Sequence, residues 1–488
     1  MSDPKKLHPL STLLTFFREL KSLVLPIVFL FFMGNGEKHN IWDYVPIIGI
    51  GAVILFVLVS GVVKWLRFTY RLEENELKIE YGLFVKKKRY IPVERIQSLD
   101  LSAGILHRMF GLVKIRVETA GAGGGSDSEA ELTAITKAEA QALQQFINEE
   151  KSRKVLANKQ DARFEKAESR SDRDIFYQAG LFELLLLAAT SGGIGVVISA
   201  VFAFLSQFQD MIPYEKIFKE AAHFIEMGTI VIAILVFLVL FVAWVISIGL
   251  TLLRYAGFAL SKEEGNVVIQ KGLLEKQQLT IPMDRIQGIT ILENPLRQML
   301  GYCSVHLESA GGAGEEKGSA SMVIIPMVKK KKALQMLAEL FPDYCFSASL
   351  TPLPLRSASR YIGRACLFAT PPVIAAAWLF WPFGLWGLTA FLPALLYGFA
   401  RFRAAGWNVS AGQLTVRTRG VSLQTVFMLR HRIQSLEMIK TWRQRQRKLA
   451  SVHSVVKSGA TGKKIKVTDA SAADAEEIYQ WYELRKKG

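Results

Sequence analysis

Ile91-Pro92-Val93-Glu94-Arg95-Ile96-Gln97 and Ile281-Pro282-Met283-Asp284-Arg285-Ile286-Gln287 are two versions of one stretch, set 190 residues apart. The match widens at the same offset. Gly82-Leu83 precedes the first and Gly272-Leu273 the second; Met109-Phe110-Gly111 and Glu118-Thr119-Ala120-Gly121 follow the first, Met299-Leu300-Gly301 and Glu308-Ser309-Ala310-Gly311 the second. A fixed period of this kind marks a repeat architecture in which each copy is one structural unit. A third copy keeps Gly420-Val421, Arg432-Ile433-Gln434 and Ser458-Gly459, but lacks the Ile-Pro pair and the Met-x-Gly element.

Within each unit the apolar residues alternate, as in a half-buried strand. Glu76-Leu77-Lys78-Ile79-Glu80-Tyr81 and Val113-Lys114-Ile115-Arg116-Val117-Glu118 do so in the first, with Val267-Val268-Ile269 and Leu414-Thr415-Val416-Arg417 at equivalent places. Each unit then ends in a helical pattern: Ala140, Leu143 and Ile147; Ala333, Leu334, Leu337 and Leu340; Ala475, Ile478, Trp481 and Leu484. Strands followed by one helix predict a small, strongly bent sheet or barrel capped by that helix.

A long apolar segment precedes every unit. Residues 44–63, 184–209 and 227–253 carry no charge and are long enough to cross a bilayer core of about 30 Å as helices. Ser22 to Gly36, extended upstream by Leu10 to Leu20, reads as another span. The uncharged stretch 365–400 is too long for one untilted crossing, and Trp381-Pro382-Phe383-Gly384 at its middle is a turn signal, so it reads as two short helices. The expectation is six spans in three hairpins. Lys5, Lys6, Arg18 and Lys21, then Lys64, Arg67 and Arg71, then Arg356, Arg360, Arg364, Arg401 and Arg403 flank the hairpins, whereas the first two hairpin loops are mostly acidic. The positive-inside rule then places both termini and all three units in the cytoplasm. The start of the chain shows no cleavable signal-peptide pattern.

The expected organisation is a cytoplasmic N-terminus at 1–20, hairpins at 21–64, 181–253 and 364–400, and soluble domains at 65–152, 254–348 and 401–488, the last diverged. Linkers run over 153–180 and 349–363. A chain of 488 residues that is 50% apolar and carries a net charge of +17 agrees with an integral membrane protein with basic cytoplasmic parts. Three cysteines make no disulfide framework and seven scattered histidines no metal site.

The hairpin feeding an I-P-x-[DE]-R-I-Q unit with a later E-[ST]-A-G resembles the bacterial pleckstrin-homology-like membrane proteins of the YdbS–YdbT kind. Three such units resemble the longer, YdbT-like members. The resemblance covers nearly the whole chain and implies a multi-pass α-helical membrane protein with three cytoplasmic α+β PH-like barrels and no catalytic activity.

The remaining chemistry is sparse. The glycine runs at 121–125 and 311–314 lack the Gly-Lys-[Ser/Thr] of a P-loop and read as hairpin loops. Arg95, Gln97, Arg285, Gln287, Arg432 and Gln434 recur with the fold and read as structural side chains serving the backbone, with a phosphate or carboxylate site as the alternative. Three basic clusters are the main functional signal: Lys86, Lys87, Lys88 and Arg89; Lys329, Lys330, Lys331 and Lys332 at a helix start; Arg443, Arg445, Arg447 and Lys448. Held at an anionic inner leaflet, such residues gain about 1 kcal/mol each. Solvated faces are the competing account. Lysines at a helix start oppose the helix dipole and call for a nearby anion.

No nucleophile–base pair or metal motif appears: Cys303 and His306 fall on opposite faces of a strand, and the spans lack the ionisable groups of a coupled transporter. Nucleic acid is disfavoured as a partner, despite Trp442 beside its arginines. The expected function is therefore a non-catalytic membrane platform, without cofactors, that gathers a second membrane protein of the same family or anionic lipid, in envelope stress tolerance. The alternative is lipid handling or transport by the hairpins. Oligomeric state is left open.

Overall fold

The computed structural model describes residues 4–13, 15–16, 45–73, 75–82, 85–119, 130–157, 174–191, 199, 229–263, 265–310, 321–381, 383–410, 412–459 and 461–483, with 45–47, 97, 148, 151–157, 174, 229–233, 235, 383 and 461 as backbone only. The expected first span of hairpin 1, most of the first span of hairpin 2 with its loop, both glycine runs and Leu484 lie outside the described residues. The chain forms two compact units: Met1–Asp172 with Leu274–Pro282, and Arg173–Leu273 with Met283–Gly488.

In the first unit β1 (Lys5–Lys6) precedes the apolar helix α1 (Val45–Arg67), which leads into β2 (Thr69–Glu73), β3 (Glu76–Tyr81) and β4 (Lys87–Pro92). These strands form one antiparallel sheet in the order β1-β2-β3-β4. A single 3-10 turn, Val93–Arg95, then redirects the chain into β5 (Ile96–Ala103), α2 (Ile105–Met109), β6 (Leu112–Thr119), β7 (Ala130–Thr136) and α3 (Lys137–Ala157). Alternation places Leu77 and Ile79 of β3, Ile115 and Val117 of β6 and Leu132 of β7 in one core, closed by Ala140, Leu143 and Ile147 of α3. Leu7, from ahead of the hairpin, is part of that core.

The second repeat begins with β8 (Asp174–Gln178), inside the stretch expected as a linker, followed by the apolar helices α4 (Leu181–Thr190) and α5 (Thr229–Tyr255), then β9 (Ala259–Glu263) and β10 (Asn266–Lys271). Its next strand, β11 (Lys276–Pro282), belongs to the first unit and pairs with β5. After another 3-10 turn come β12 (Ile286–Glu293), α6 (Pro295–Met299), β13 (Tyr302–Ser309), β14 (Ser321–Lys329) and α7 (Lys330–Leu340). The third repeat continues with β15 (Thr351–Pro352), again within the expected linker, α8 (Ala358–Leu379), α9 (Phe391–Ala404), β16 (Gly406–Ser410), β17 (Gln413–Arg419) and β18 (Leu423–Leu429). It closes with β19 (Ile433–Ile439), α10 (Trp442–Gln446), β20 (Leu449–Ser458), β21 (Thr461–Ser471) and α11 (Ala472–Glu483).

Each long apolar segment lies in sequence between two strands that pair with each other. Lys6 faces Thr69, Gln178 faces Ala259 and Pro352 faces Gly406. Both ends of each apolar segment are therefore fixed at one place. Among the described residues four helices are long and apolar enough to span: Ile48–Arg67, Val236–Tyr255, Leu355–Leu379 and Gly384–Ala404. The stretch 365–400 divides at Phe380-Trp381 into α8 and, after a 3-10 segment, α9. The two helices pack closely where a Cβ on Gly398 would meet the Ile362 Cα at 2.7 Å.

The repeats are joined by shared sheets. β11 lies antiparallel to β5 with Lys276 opposite Ala103, and β18 lies antiparallel to β12 with Leu423 opposite Glu293. An offset of 190 carries Ala103 to Glu293, and an offset of 147 carries Lys276 to Leu423, as it carries Arg285 to Arg432. The two junctions share one register. Across the second runs a seven-stranded sheet, β14-β13-β12-β18-β17-β16-β15, while β19-β20-β21 stand apart as a sheet of three. Strand pairing among the described residues thus draws open sheets, each repeat ending in the expected helix.

Candidate interaction surfaces

The Arg-Ile-Gln motif sits where the chain turns from one sheet into the next. Arg95, Arg285 and Arg432 end the three 3-10 turns, and Ile96, Ile286 and Ile433 are core residues. The glutamines occupy one special position. Pairing skips from Ile96 to Ser98, from Ile286 to Gly288 and from Ile433 to Ser435, so Gln97, Gln287 and Gln434 are each the extra residue of a β-bulge. A bulge sharpens local twist and re-aims the strand, which suits the entry to a second sheet. Gln287 is buried and its Nε2 donates to the Arg285 carbonyl at 3.1 Å. Gln434 is exposed.

The basic clusters separate into different environments. Lys86 precedes β4; Lys87, Lys88 and Arg89 lie on it, at a sheet edge. Lys86 and Lys88 sit 2.6 and 3.4 Å from the two Glu80 oxygens, and the Lys86 ammonium holds that carboxyl below its usual range. Lys329 ends β14. Lys330 opens α7 with its ammonium 2.8 Å from the buried Glu293 carboxylate, an anion that offsets the unfavourable helix start. Lys331 and Lys332 are exposed. Arg443 and Arg445 project from α10, and Arg447 donates to Ser359 Oγ at the start of α8. Lys448 adopts φ +50°, where Gly111 and Gly301 have +65° and +72°. Its carbonyl accepts from Ala472 N, as those of Gly111 and Gly301 accept from Lys137 and Lys330. The left-handed residue thus positions the closing helix in all three repeats, and in the third a lysine takes the glycine's place.

Sequence reasoning missed a second surface. The short helices α2, α6 and α10 present large apolar side chains to the outside: Met109 is 72% exposed, Met299 86% and Trp442 72%, with Ile105, Phe110, Leu296 and Leu300 beside them. The signal was legible as Met-Phe and Met-Leu pairs immediately ahead of the turn glycines. Two of these helices stand at the foot of a hairpin. Arg297 of α6 donates from Nε to Thr190 Oγ1, at the end of α4, at 2.9 Å, and Arg447 beside α10 reaches Ser359.

The junction between the second and third repeats is locked by charge. Glu308 of β13 is fully buried; Lys463 of β21 donates to its Oε1 at 2.5 Å and Ser458 to its Oε2 at 2.8 Å. Arg360 and Arg364 of α8 both ion-pair with the buried Asp469 of β21, which ties hairpin 3 to its domain.

Burial pushes the Cys303 thiol up to about 12 and the half-buried His306 imidazole down to about 4. Among the described residues no cluster of three or more His, Cys, Asp or Glu could hold a metal ion. The hydroxyls of Ser60, Thr251 and Thr370 each donate to a carbonyl one turn earlier in their own helix.

The chain matches the bacterial PH domain model three times, over residues 22–151, 195–342 and 359–486. It is 35% identical to the transmembrane protein YdbT of Bacillus subtilis (strain 168), over all of this chain and 99% of that protein. It is also 30% identical to the transmembrane protein YdbS of that organism over 14% of this chain and 42% of the relative. No solved structure matches. Three matches that together cover most of the chain, with a relative aligned over its full length, place the chain in the bacterial PH domain family as a YdbT-like transmembrane protein with three repeats.

Proposed function

We propose that the protein is a non-catalytic assembly platform at the cytoplasmic face of the inner membrane, with six spans in three hairpins, both termini cytoplasmic, and envelope stress tolerance as a cellular outcome. The pairing of the strands before and after each hairpin supports an even number of crossings, and the Lys and Arg flanks support the orientation. One observation carries the platform reading: the repeats join to one another by strand addition in a single repeated register. A fold that recruits its own neighbours through sheet edges is suited to recruiting other proteins by the same main-chain bonds. The partner is a second membrane protein of the same family.

Purification of the full-length protein in mild detergent, with identification of everything that co-purifies, tests this. A stoichiometric membrane protein, whether a relative or a second copy of this chain, supports it. Recovery of the protein as a monomer with enriched anionic lipid overturns it in favour of lipid contact.

That second reading has its own support in the exposed apolar residues of α2, α6 and α10. With Arg443 and Arg445 beside Trp442, such a helix is built for the headgroup region, apolar side inward and basic side toward anionic lipid. Brominated lipid should quench the full-length protein in nanodiscs more than its Trp442→Phe variant; equal quenching would exclude contact at α10. Transport is disfavoured, because the span hydroxyls of Ser60, Thr251 and Thr370 donate within their own helices.

A further inference from the structure

In both junctions the strand that leads into one Arg-Ile-Gln motif (β11 or β18) lies along the strand that leads out of the preceding one (β5 or β12). β4 is the incoming strand of the first repeat and β19 the outgoing strand of the third. Among the described residues β4 pairs with β3 alone and β19 with β20 alone, each at the edge of its sheet. The chain therefore carries one unused strand of each kind.

We propose that β19 of one molecule receives β4 of a second copy of this chain, in the register of the internal junctions. This rests on the platform reading and names its partner as the chain itself. Carrying the register forward sets Leu436 opposite Tyr90, Glu437 opposite Arg89, Met438 opposite Lys88 and Ile439 opposite Lys87. The pair Glu437 and Arg89 is of opposite charge, which favours directly opposed strand positions. One like-charged pair, Lys440 opposite Lys86, is already neutralised on both sides, by Glu476 at 3.7 Å and Glu80 at 2.6 Å.

Exposure agrees with an uncovered edge. Ile289, Thr290 and Ile291 of β12 are buried, whereas at the corresponding positions of β19 Glu437 is exposed and Leu436 and Met438 are only half-buried. A contact of this kind is heterologous, so it adds copies head to tail rather than closing a two-fold dimer.

Two differently tagged full-length copies, with Cys345 and Cys366 replaced by Ser, are co-expressed in membranes, one carrying Arg89→Cys and the other Glu437→Cys. Mild oxidation should join the two tags at least tenfold more than the pair Arg89→Cys and Met438→Cys, which is slipped by one residue and turned to the opposite face. In the cysteine-replaced background without these substitutions, Arg89→Glu should reduce co-purification of the two tags, and adding Glu437→Lys should restore it.

A chain that shows no in-register cross-link and stays monomeric overturns the proposal and makes Lys86 to Arg89 guards of a bare edge. Cross-linking of the Glu437→Cys copy to a different membrane protein also overturns it, while leaving the platform reading intact. The platform reading itself fails separately, if the protein purifies with neither a second copy of itself nor any other protein.

Discussion

The Lys463 ammonium lies 2.5 Å from Oε1 of Glu308, and the two residues belong to different repeats. The carboxylate is fully buried, so its charge is tolerated because the third repeat supplies the counter-charge. Lys463→Met would strand that charge in the junction, at a cost of about 3–5 kcal/mol. Adding Glu308→Gln should recover most of the loss. Thermal unfolding of the detergent-solubilised single and double variants checks this; additive losses would rule the lock out.

Asp100 is the buried acid of the first junction, where its Oδ1 accepts from Thr280 N at 3.4 Å. Burial, aided by the nearby Glu118 charge, raises its pKa from 3.8 to about 8. The folded state then holds a proton that the unfolded chain has lost, so this group lowers stability as pH rises between about 4 and 8. Each pH unit in that window costs up to about 1.4 kcal/mol. Asp100→Asn should therefore raise the melting temperature at pH 8 and change it little at pH 4.5. An equal shift at both pH values would show that Asp100 is not protonated in the fold.

Lys448 holds the left-handed conformation that the first two repeats assign to Gly111 and Gly301. A side chain there is strained by about 1 kcal/mol. Lys448→Gly should stabilise the protein by that order, whereas Gly301→Lys should destabilise it; denaturation midpoints compare the two.

Gly398 lets α9 approach α8 until a Cβ would meet the Tyr361 carbonyl at 3.0 Å. Gly398→Val should separate the helices of hairpin 3 and destabilise the protein by about 1–3 kcal/mol. Gly249→Val, at a helix position with nothing within 4 Å, is the matched control and should have a much smaller effect. Unfolding temperatures in one detergent measure both.

Local pattern was enough to read the repeats, the four described spans and the closing helices, because alternation, helical spacing and hydropathy are properties of adjacent residues. Strand sharing was not legible. Nothing in Lys276 to Gln278 says that Leu101 to Ala103 of the preceding repeat will receive those residues. β1 and β15, at two residues each, are too short to show alternation. The basic clusters looked alike as runs of charge, yet Lys86 and Lys88 share Glu80, Lys330 meets a buried glutamate, and only α10 sets its arginines beside an exposed tryptophan. Those distinctions depend on residues distant in sequence.

The strand in front of each hairpin constrains how the protein is made. Lys5-Lys6 leaves the ribosome before hairpin 1, but its partner strand at Thr69 emerges only after it. On the proposed six-span topology, no first ladder can close until the apolar segment has entered the bilayer and returned, and the same would hold for β8 with β9 and β15 with β16. Sheet completion would then report successful insertion. A hairpin that failed to come back would leave Leu7 outside its core and a sheet edge bare, exposing a topological error to the cell's proteases as a folding defect.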